Sequence, residues 1–313
     1  MIERRRARLG LALGSGSARG WAHIGVIRAL EAAGLRPDIV AGTSIGALVG
    51  AAYAAGELDR LERWVLELGV ADVIGFMDLS FGGGAFKGDR LVEFFRRNAS
   101  DRPIETLPLV FGAVATSLNS GAEVWLRTGS MLEAVRASIA LPGIFTPVSR
   151  DGAFLVDGGL VNPVPVSLAR ALGADIVIAV DLGSDILGRR FRVPAPPATP
   201  ASGVQKWIQD LRSSFGAADE GEPGEETPLP SLPDVIAASM DIVQVRIARS
   251  RLAGEPPELL VTPHLARLRL FDFHCAREAI EEGRRAVERV GHNLADLDEP
   301  PDRRWKKPRG ESN

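Results

Sequence analysis

The sequence predicts an α/β protein with a mainly parallel central sheet, and three observations predict it. Short apolar runs alternate with segments of helical periodicity from the first strand onward. Two of those runs end in glycine-rich turns that each open a helix, so strand–helix–strand–helix is the repeating order. Asp175–Val180, reading Asp-Ile-Val-Ile-Ala-Val, has the unbroken β-branched character of a strand covered on both faces.

Taken in order, Leu9–Leu13 is a short apolar strand that stops at Gly14. Arg19–Ala33 sets Ile24, Ile27, Leu30 and Ala33 at helical spacing, with Gly34 as the stop. Asp38–Ala41 is the second strand. Ile45–Ala55 is a helix with no polar side, which a buried position requires. Leu58, Leu61, Val65 and Leu68 mark an amphipathic third helix. Leu109–Ala115 is a strand, and Ala122–Leu126 pairs with it across the Asn119–Gly121 turn. Phe154–Val156 is a strand ending at Asp157-Gly158-Gly159, and Leu259–Thr262 is another. Ala276, Ala279, Ile280, Gly283, Ala286, Val287 and Val290 form the inner stripe of a C-terminal helix.

Residues 1–296 therefore read as one domain, interrupted by Ser184–Asp234. That stretch is rich in proline and carries Asp219, Glu220, Glu222, Glu225 and Glu226, the composition of a mobile insertion. Within it Trp207, Ile208, Leu211 and Phe215 share one helical face, which suits a short docked helix or a lid that touches a membrane. Residues 297–313, with Arg303-Arg304-Trp305-Lys306-Lys307, read as a disordered basic tail.

Composition narrows the chemistry. The chain has 313 residues and a formal net charge of −3, so no global field favours nucleic acid. One Cys excludes a disulfide framework and any Cys-rich metal site, and four His leave little material for a His-rich one. Arg4, Arg5, Arg6 and Arg8 before Leu9–Leu13 imitate a signal peptide, but the apolar run is short and is better read as a buried strand. The longest apolar stretches, such as Ser44–Gly56, fall short of the roughly 20 residues that span a bilayer. The cytoplasm is the expected location, with peripheral contact at the inner face of the membrane.

Gly42-Thr43-Ser44-Ile45-Gly46 matches G-x-S-x-G between a predicted strand and a predicted helix, the context of a nucleophile elbow. Gly42 and Gly46 let the turn close, and the helix aims its N-terminal amides and positive dipole end at any anion formed beside Ser44. Gly14-Ser15-Gly16-Ser17-Ala18-Arg19-Gly20 also follows a strand and opens a helix, so its amides can converge as an oxyanion hole. A dinucleotide loop is the rival reading of that segment. It lacks an acid at the end of the second strand, where Gly42-Thr43-Ser44 stands instead. The lysine of a phosphate-binding P-loop is absent as well. Ser44 needs a base. Asp157, followed by Gly158 and Gly159, is the attractive candidate, since burial raises a carboxyl toward the working range. His264 or His274, with Asp157 or Asp181, would complete a triad of α/β-hydrolase type, and His23 reads as a packing residue.

With these residues in hand, the sequence resembles the patatin-like phospholipases, and within them the bacterial RssA-like branch. The motifs in order are Gly14–Gly20, Gly42–Gly46 and Asp157–Gly159. Trp21-Ala22-His23-Ile24-Gly25, Ala137–Pro147, Val161–Pro165 and Ala171–Val180 add to the likeness, which covers residues 8–183 firmly and extends to Asp272-Phe273-His274. The resemblance implies a three-layer α/β/α fold and a Ser-Asp dyad, with Ser44 as nucleophile and Asp157 as base. It implies an oxyanion hole from the Gly14–Gly20 segment around Gly16 and Ser17, helped by Ile45, with Arg19 supporting the loop. The chain departs from the commonest G-G-G-x-R-G form at Ser15 and Ser17. The implied substrate is a lipid acyl ester of the phospholipid or lysophospholipid class, with neither metal nor organic cofactor. Two other readings stand beside it: a Ser-His-Asp esterase, and a regulatory protein with a vestigial site.

Overall fold

The computed structural model describes residues 6–72, 101–186 and 232–295. Strand β1 (Leu9–Leu13) leads through a 3₁₀ turn (Ser17–Trp21) into helix α1 (Ala22–Ala32). Strand β2 (Ile39–Thr43) leads into α2 (Ile45–Ala54), and α3 (Leu58–Glu67) follows. Strand β3 (Val110–Ser117) turns back into β4 (Glu123–Leu126) before α4 (Met131–Ser138). Then come β5 (Val148–Arg150), β6 (Ala153–Asp157), α5 (Val166–Ala171) and β7 (Ile176–Val180). Beyond residue 231 lie α6 (Leu232–Gly254), β8 (Leu259–Val261), α7 (Ala276–Arg289) and α8 (Gly291–Ala295).

Strands β3, β2, β1, β7 and β8 pair in that order and run parallel. β1 (Leu-Gly-Leu-Ala-Leu) and β7 (Ile-Val-Ile-Ala-Val) are buried at every position, as strands covered on both faces must be. Side chains alternate between the faces. Leu9, Leu11 and Leu13 join the core under α1, α2, α3, α4 and α7. Ala12 from the other face of β1 packs in a second core with Val166, Leu168 and Ala169 of α5 and Ala248 of α6. The result is a three-layer α/β/α fold. The helix α2 is apolar all round and mostly buried, whereas α3 is a surface helix burying only Leu58, Leu61 and Val65.

The edge of β3 carries the pairing that matters most. β2 pairs with Val110–Val114 in parallel, β6 with Ala115–Ser117 in antiparallel, and β4 with Ala113–Thr116. A strand has two edges, and β4 overlaps both other partners in register. β2 and β6 therefore share one edge, end to end, and run toward each other. The C-terminal residue of β2, Thr43, lies opposite Val114, and that of β6, Asp157, lies opposite Ala115. The residue that follows β2 thus meets the last residue of β6 head on.

The expected strands are present, with β2 and β3 each ending two residues later than read. The expected helix Arg19–Ala33 is divided into the 3₁₀ turn and α1, because the loop must wrap the end of β1 before a regular helix starts. Helix α6 begins at Leu232, inside the stretch assigned to an insertion, so that stretch ends earlier than expected. The Trp207–Phe215 helix and the basic tail lie outside the described residues. Among the described residues no helix is long and apolar enough to cross a membrane.

Candidate active site

Ser44 sits at the turn between β2 and α2 with φ 57° and ψ −125°, a conformation that L-residues rarely adopt. Backbone contact enforces it. A Cβ on Gly46 would overlap the carbonyl oxygens of Leu13 and Gly14, and one on Gly42 would overlap the backbone of Ala47. The helix is thereby pressed against the end of β1. Ser138, the last residue of α4, accepts the Ser44 N–H at 2.8 Å and donates its own proton to the Val114 carbonyl at 2.6 Å. The sequence reading missed this role, since a serine within a run of small residues carries no pattern of its own.

The Ser44 hydroxyl donates to Asp157 Oδ2 at 2.5 Å. Asp157 Oδ1 accepts the Gly159 N–H at 2.7 Å, and its carbonyl accepts from Thr116 Oγ1 at 2.8 Å, so both ends of the residue are fixed. The side chain is 1% exposed. Burial pushes its carboxyl up to about 6, against the hydrogen bonds from Ser44 and Gly159 that favour the charged form. An acid poised there is ionised at neutral pH and remains a usable proton acceptor.

The glycine-rich segment flanks this pair. The N–H groups of Gly14 and Ser15 are engaged by the carbonyls of Val180 (3.1 Å) and Pro163 (2.8 Å), and that of Arg19 by Gly16 (3.2 Å). Gly14, Ser15 and Arg19, expected within the oxyanion hole, therefore shape the loop without offering backbone donors. Among the described residues no acceptor engages the N–H groups of Gly16, Ser17 or Ile45, the first residue of α2. Gly20 serves packing instead, since a side chain there would overlap Ile45. The two serines that replace glycine are tethers: Ser15 Oγ donates to Gln244 Oε1 at 2.9 Å, and Ser17 Oγ to the Leu270 carbonyl at 2.6 Å. Ser17 has φ 50°, so its hydrogen bond holds a backbone that serine does not favour.

His23 holds the loop from beneath. It is fully buried, and its Nε2 lies 2.7 Å from the Gly14 carbonyl, which fixes the proton on Nε2. Burial pushes the imidazole down to about 4, so it stays neutral. The expected packing role is thus also a hydrogen-bonding one. His264 and His274 are exposed and do not line the Ser44 cavity. Asp181 is buried beside a smaller neighbouring cavity, its carboxyl raised by burial, and it too lies outside the Ser44 cavity.

That cavity is lined on one side by Ser44, Asp157 and the loop from Ser15 to Arg19. Its other walls are mostly apolar and include Leu48, Trp64, Ile139, Phe145, Met240 and Phe273, with Asp241 and Gln244 as polar exceptions. The Ser44 hydroxyl, a buried carboxylate and unengaged amides face one largely apolar space, the arrangement in which fixed dipoles act most strongly on a developing anion.

Comparison with known proteins assigns the family. The patatin-like phospholipase profile matches residues 11–170, which hold all three motifs. The chain belongs to the patatin-like phospholipase family. It is accordingly a lipid ester hydrolase. An uncharacterized NTE family protein of Mycobacterium tuberculosis is 33% identical over 88% of this patatin-like chain and 89% of its own length. Patatin-like phospholipase domain-containing protein 6 of Homo sapiens is 38% identical over 56% of this chain, and lysophospholipase nte1 of Aspergillus fumigatus is 36% identical over 56%. Those matches span only 13% and 12% of the two longer proteins. The crystal structure of VipD from Legionella pneumophila superposes with a TM-score of 0.43 at 13% identity, covering 96% of this chain and 79% of that one.

Proposed function

We propose that this patatin-like protein hydrolyses acyl esters of the phospholipid or lysophospholipid class through a Ser44–Asp157 dyad and an acyl-enzyme. The 2.5 Å hydrogen bond from the Ser44 hydroxyl to a buried carboxylate carries the reading. Asp157 takes the Ser44 proton as Oγ attacks the ester carbonyl. The negative charge that develops on the carbonyl oxygen is met by the N–H groups of Gly16, Ser17 and Ile45 and by the positive end of α2. Asp157 returns the proton to the leaving alcohol, and the acyl group stays on Ser44. Water then attacks the acyl-enzyme and gives its proton to Asp157, and the fatty acid leaves as Ser44 regains its hydrogen. The proton cycles between two side chains, so no histidine is required.

The apolar walls favour a fatty acyl chain over a polar acyl group. The printed name of the Aspergillus relative, a lysophospholipase, supports a lipid head group on the other side of the ester. Peripheral membrane contact belongs to the same reading, supported by Phe271, which is exposed while lining the cavity. Two substitutions test the chemistry on a short p-nitrophenyl ester. Ser44→Ala and Asp157→Asn should each abolish hydrolysis in folded protein, and a fluorophosphonate should label Ser44 in the wild type. His264→Ala and His274→Ala should leave kcat within about threefold. Undiminished hydrolysis by Ser44→Ala, or a large loss in either histidine variant, contradicts the dyad.

A further inference from the structure

Helix α6 follows the stretch outside the described residues, lies beyond the family-matched span, and carries no motif. It nevertheless reaches the site at two points. Asp241 forms an ion pair with Arg19 at 2.8 Å, in which both side chains are buried, at 8% and 2% exposure. Gln244, one turn on, accepts the Ser15 hydroxyl at 2.9 Å. Its Nε2 also sits over Gly159, where a Cβ would come within 2.8 Å of it. One face of α6 thus touches the glycine-rich loop and the Asp157 loop together, and Met240, Asp241 and Gln244 all line the Ser44 cavity.

The geometry of a peptide unit makes this contact consequential. Arg19 Nε donates to the Gly16 carbonyl at 3.2 Å. The Gly16 carbonyl and the Ser17 N–H belong to one planar trans unit and point in opposite directions. Whatever fixes the carbonyl on one side therefore aims the N–H at the other, where no described acceptor engages it. Arg19 is itself held by Asp241, since a buried guanidinium needs a buried counter-charge. A chain of contacts runs from Asp241 through Arg19 and the Gly16 carbonyl to the Ser17 N–H. Ser15, on the other side of Gly16, is pinned by Gln244. We infer that Asp241 and Gln244 are positioning residues for the oxyanion loop, acting through Arg19 and Ser15. Neither touches the reacting atoms. The inference rests on the dyad reading for its kinetic consequence.

The test separates positioning from mere stability. Asp241→Asn should lower kcat on the order of 10–100-fold, the cost of a misplaced donor, and leave KM within about threefold. Arg19→Met/Asp241→Leu replaces a buried ion pair with apolar groups of similar size, which restores stability in other folds. It should return the melting temperature to near the wild-type value while kcat stays low, because the Gly16 carbonyl then keeps only the backbone N–H of residue 19 and loses the guanidinium that fixes its direction. Recovery of kcat along with the melting temperature would overturn the inference. Hydrogen exchange provides a readout independent of turnover. In Asp241→Asn and in Gln244→Leu the amides of residues 14–20 should exchange faster, with those of residues 42–46 unchanged. Unchanged exchange in residues 14–20 of both variants also overturns it. Failure of the dyad itself would show elsewhere, as hydrolysis surviving in Ser44→Ala.

Discussion

The two turns that build the site are held in different ways. The elbow at Ser44 is locked by backbone against backbone, since Gly42 and Gly46 leave no room even for a methyl group. The loop at Gly14–Gly20 is held by side-chain hydrogen bonds, three of them to distant segments: Ser15 to Gln244, Ser17 to the Leu270 carbonyl and Arg19 to Asp241, while His23 of the adjoining α1 holds the Gly14 carbonyl. Ser44, the proposed nucleophile, is therefore fixed chiefly by the glycines of its own motif, with Ser138 accepting its N–H. Of the groups that would receive the oxyanion, the Gly16 and Ser17 N–H groups depend on contacts more than 200 residues away in sequence, and the difference predicts how each turn fails.

The largest effect belongs to the elbow. Gly46→Ala drives a methyl group into two carbonyl oxygens, neither of which belongs to a flexible side chain. It should destabilise by about 3 kcal/mol or more, or prevent folding, as thermal or urea denaturation would show. A folded, active Gly46→Ala protein would contradict the backbone lock.

Next is the pH dependence of stability. The Asp157 carboxyl is raised by burial from 3.8 to about 6. Between those values the folded state holds a proton that the unfolded chain has released. Asp157 therefore costs stability progressively as pH rises through that window, and the cost is complete above it. Asn keeps the shape and removes the charge, so Asp157→Asn should melt higher than the wild type at about pH 8, by on the order of 2–3 kcal/mol, with the gain gone near pH 4. His23 has the opposite sign. Its imidazole falls from 6.5 to about 4, so the unfolded chain binds the proton first and stability is lost as pH drops through that range. His23→Gln should flatten that acid limb. Comparative melting curves across pH check both.

The smallest effect is at Ser17. Gly there would relieve a positive φ but lose the hydroxyl tether to Leu270. The two terms are each about 1 kcal/mol and opposed, so Ser17→Gly should change stability by less than about 1 kcal/mol. A loss of several kcal/mol would mean that the loop depends on that one bond more than on Arg19.

The same contrast explains what could be read in the sequence. β1 and β7 announced themselves because every residue is apolar and buried, and α2 because it has no polar side and is mostly buried. Ser44 and Asp157 were found by their glycine neighbours, whose spacing is local. Their pairing was expected from those motifs and from the family resemblance, but the way they meet was not readable, because it comes from β2 and β6 sharing one edge of β3, a pairing that no local pattern encodes. Helix α6 went unassigned. It begins within a proline-rich stretch, and Val235, Ile236, Ile242 and Val243 are exposed, so its apolar residues form no single inward stripe. Asp241 and Gln244 were lost with it, and Gly14 and Ser15 were given donor roles that only the pairing with Pro163 and Val180 removes.

The central claim is that Asp157 is the proton acceptor for Ser44. The pH–rate profile of kcat/KM for a short p-nitrophenyl ester tests it most directly, measured on the wild type beside Asp157→Asn. The dyad predicts a wild-type rate that rises with pH and levels off above an apparent pKa near the value of about 6 for the buried carboxyl. It predicts that Asp157→Asn, correctly folded, loses at least about 1000-fold at every pH. A wild-type profile without that acid limb, together with an Asn variant within about tenfold of wild type, would contradict it.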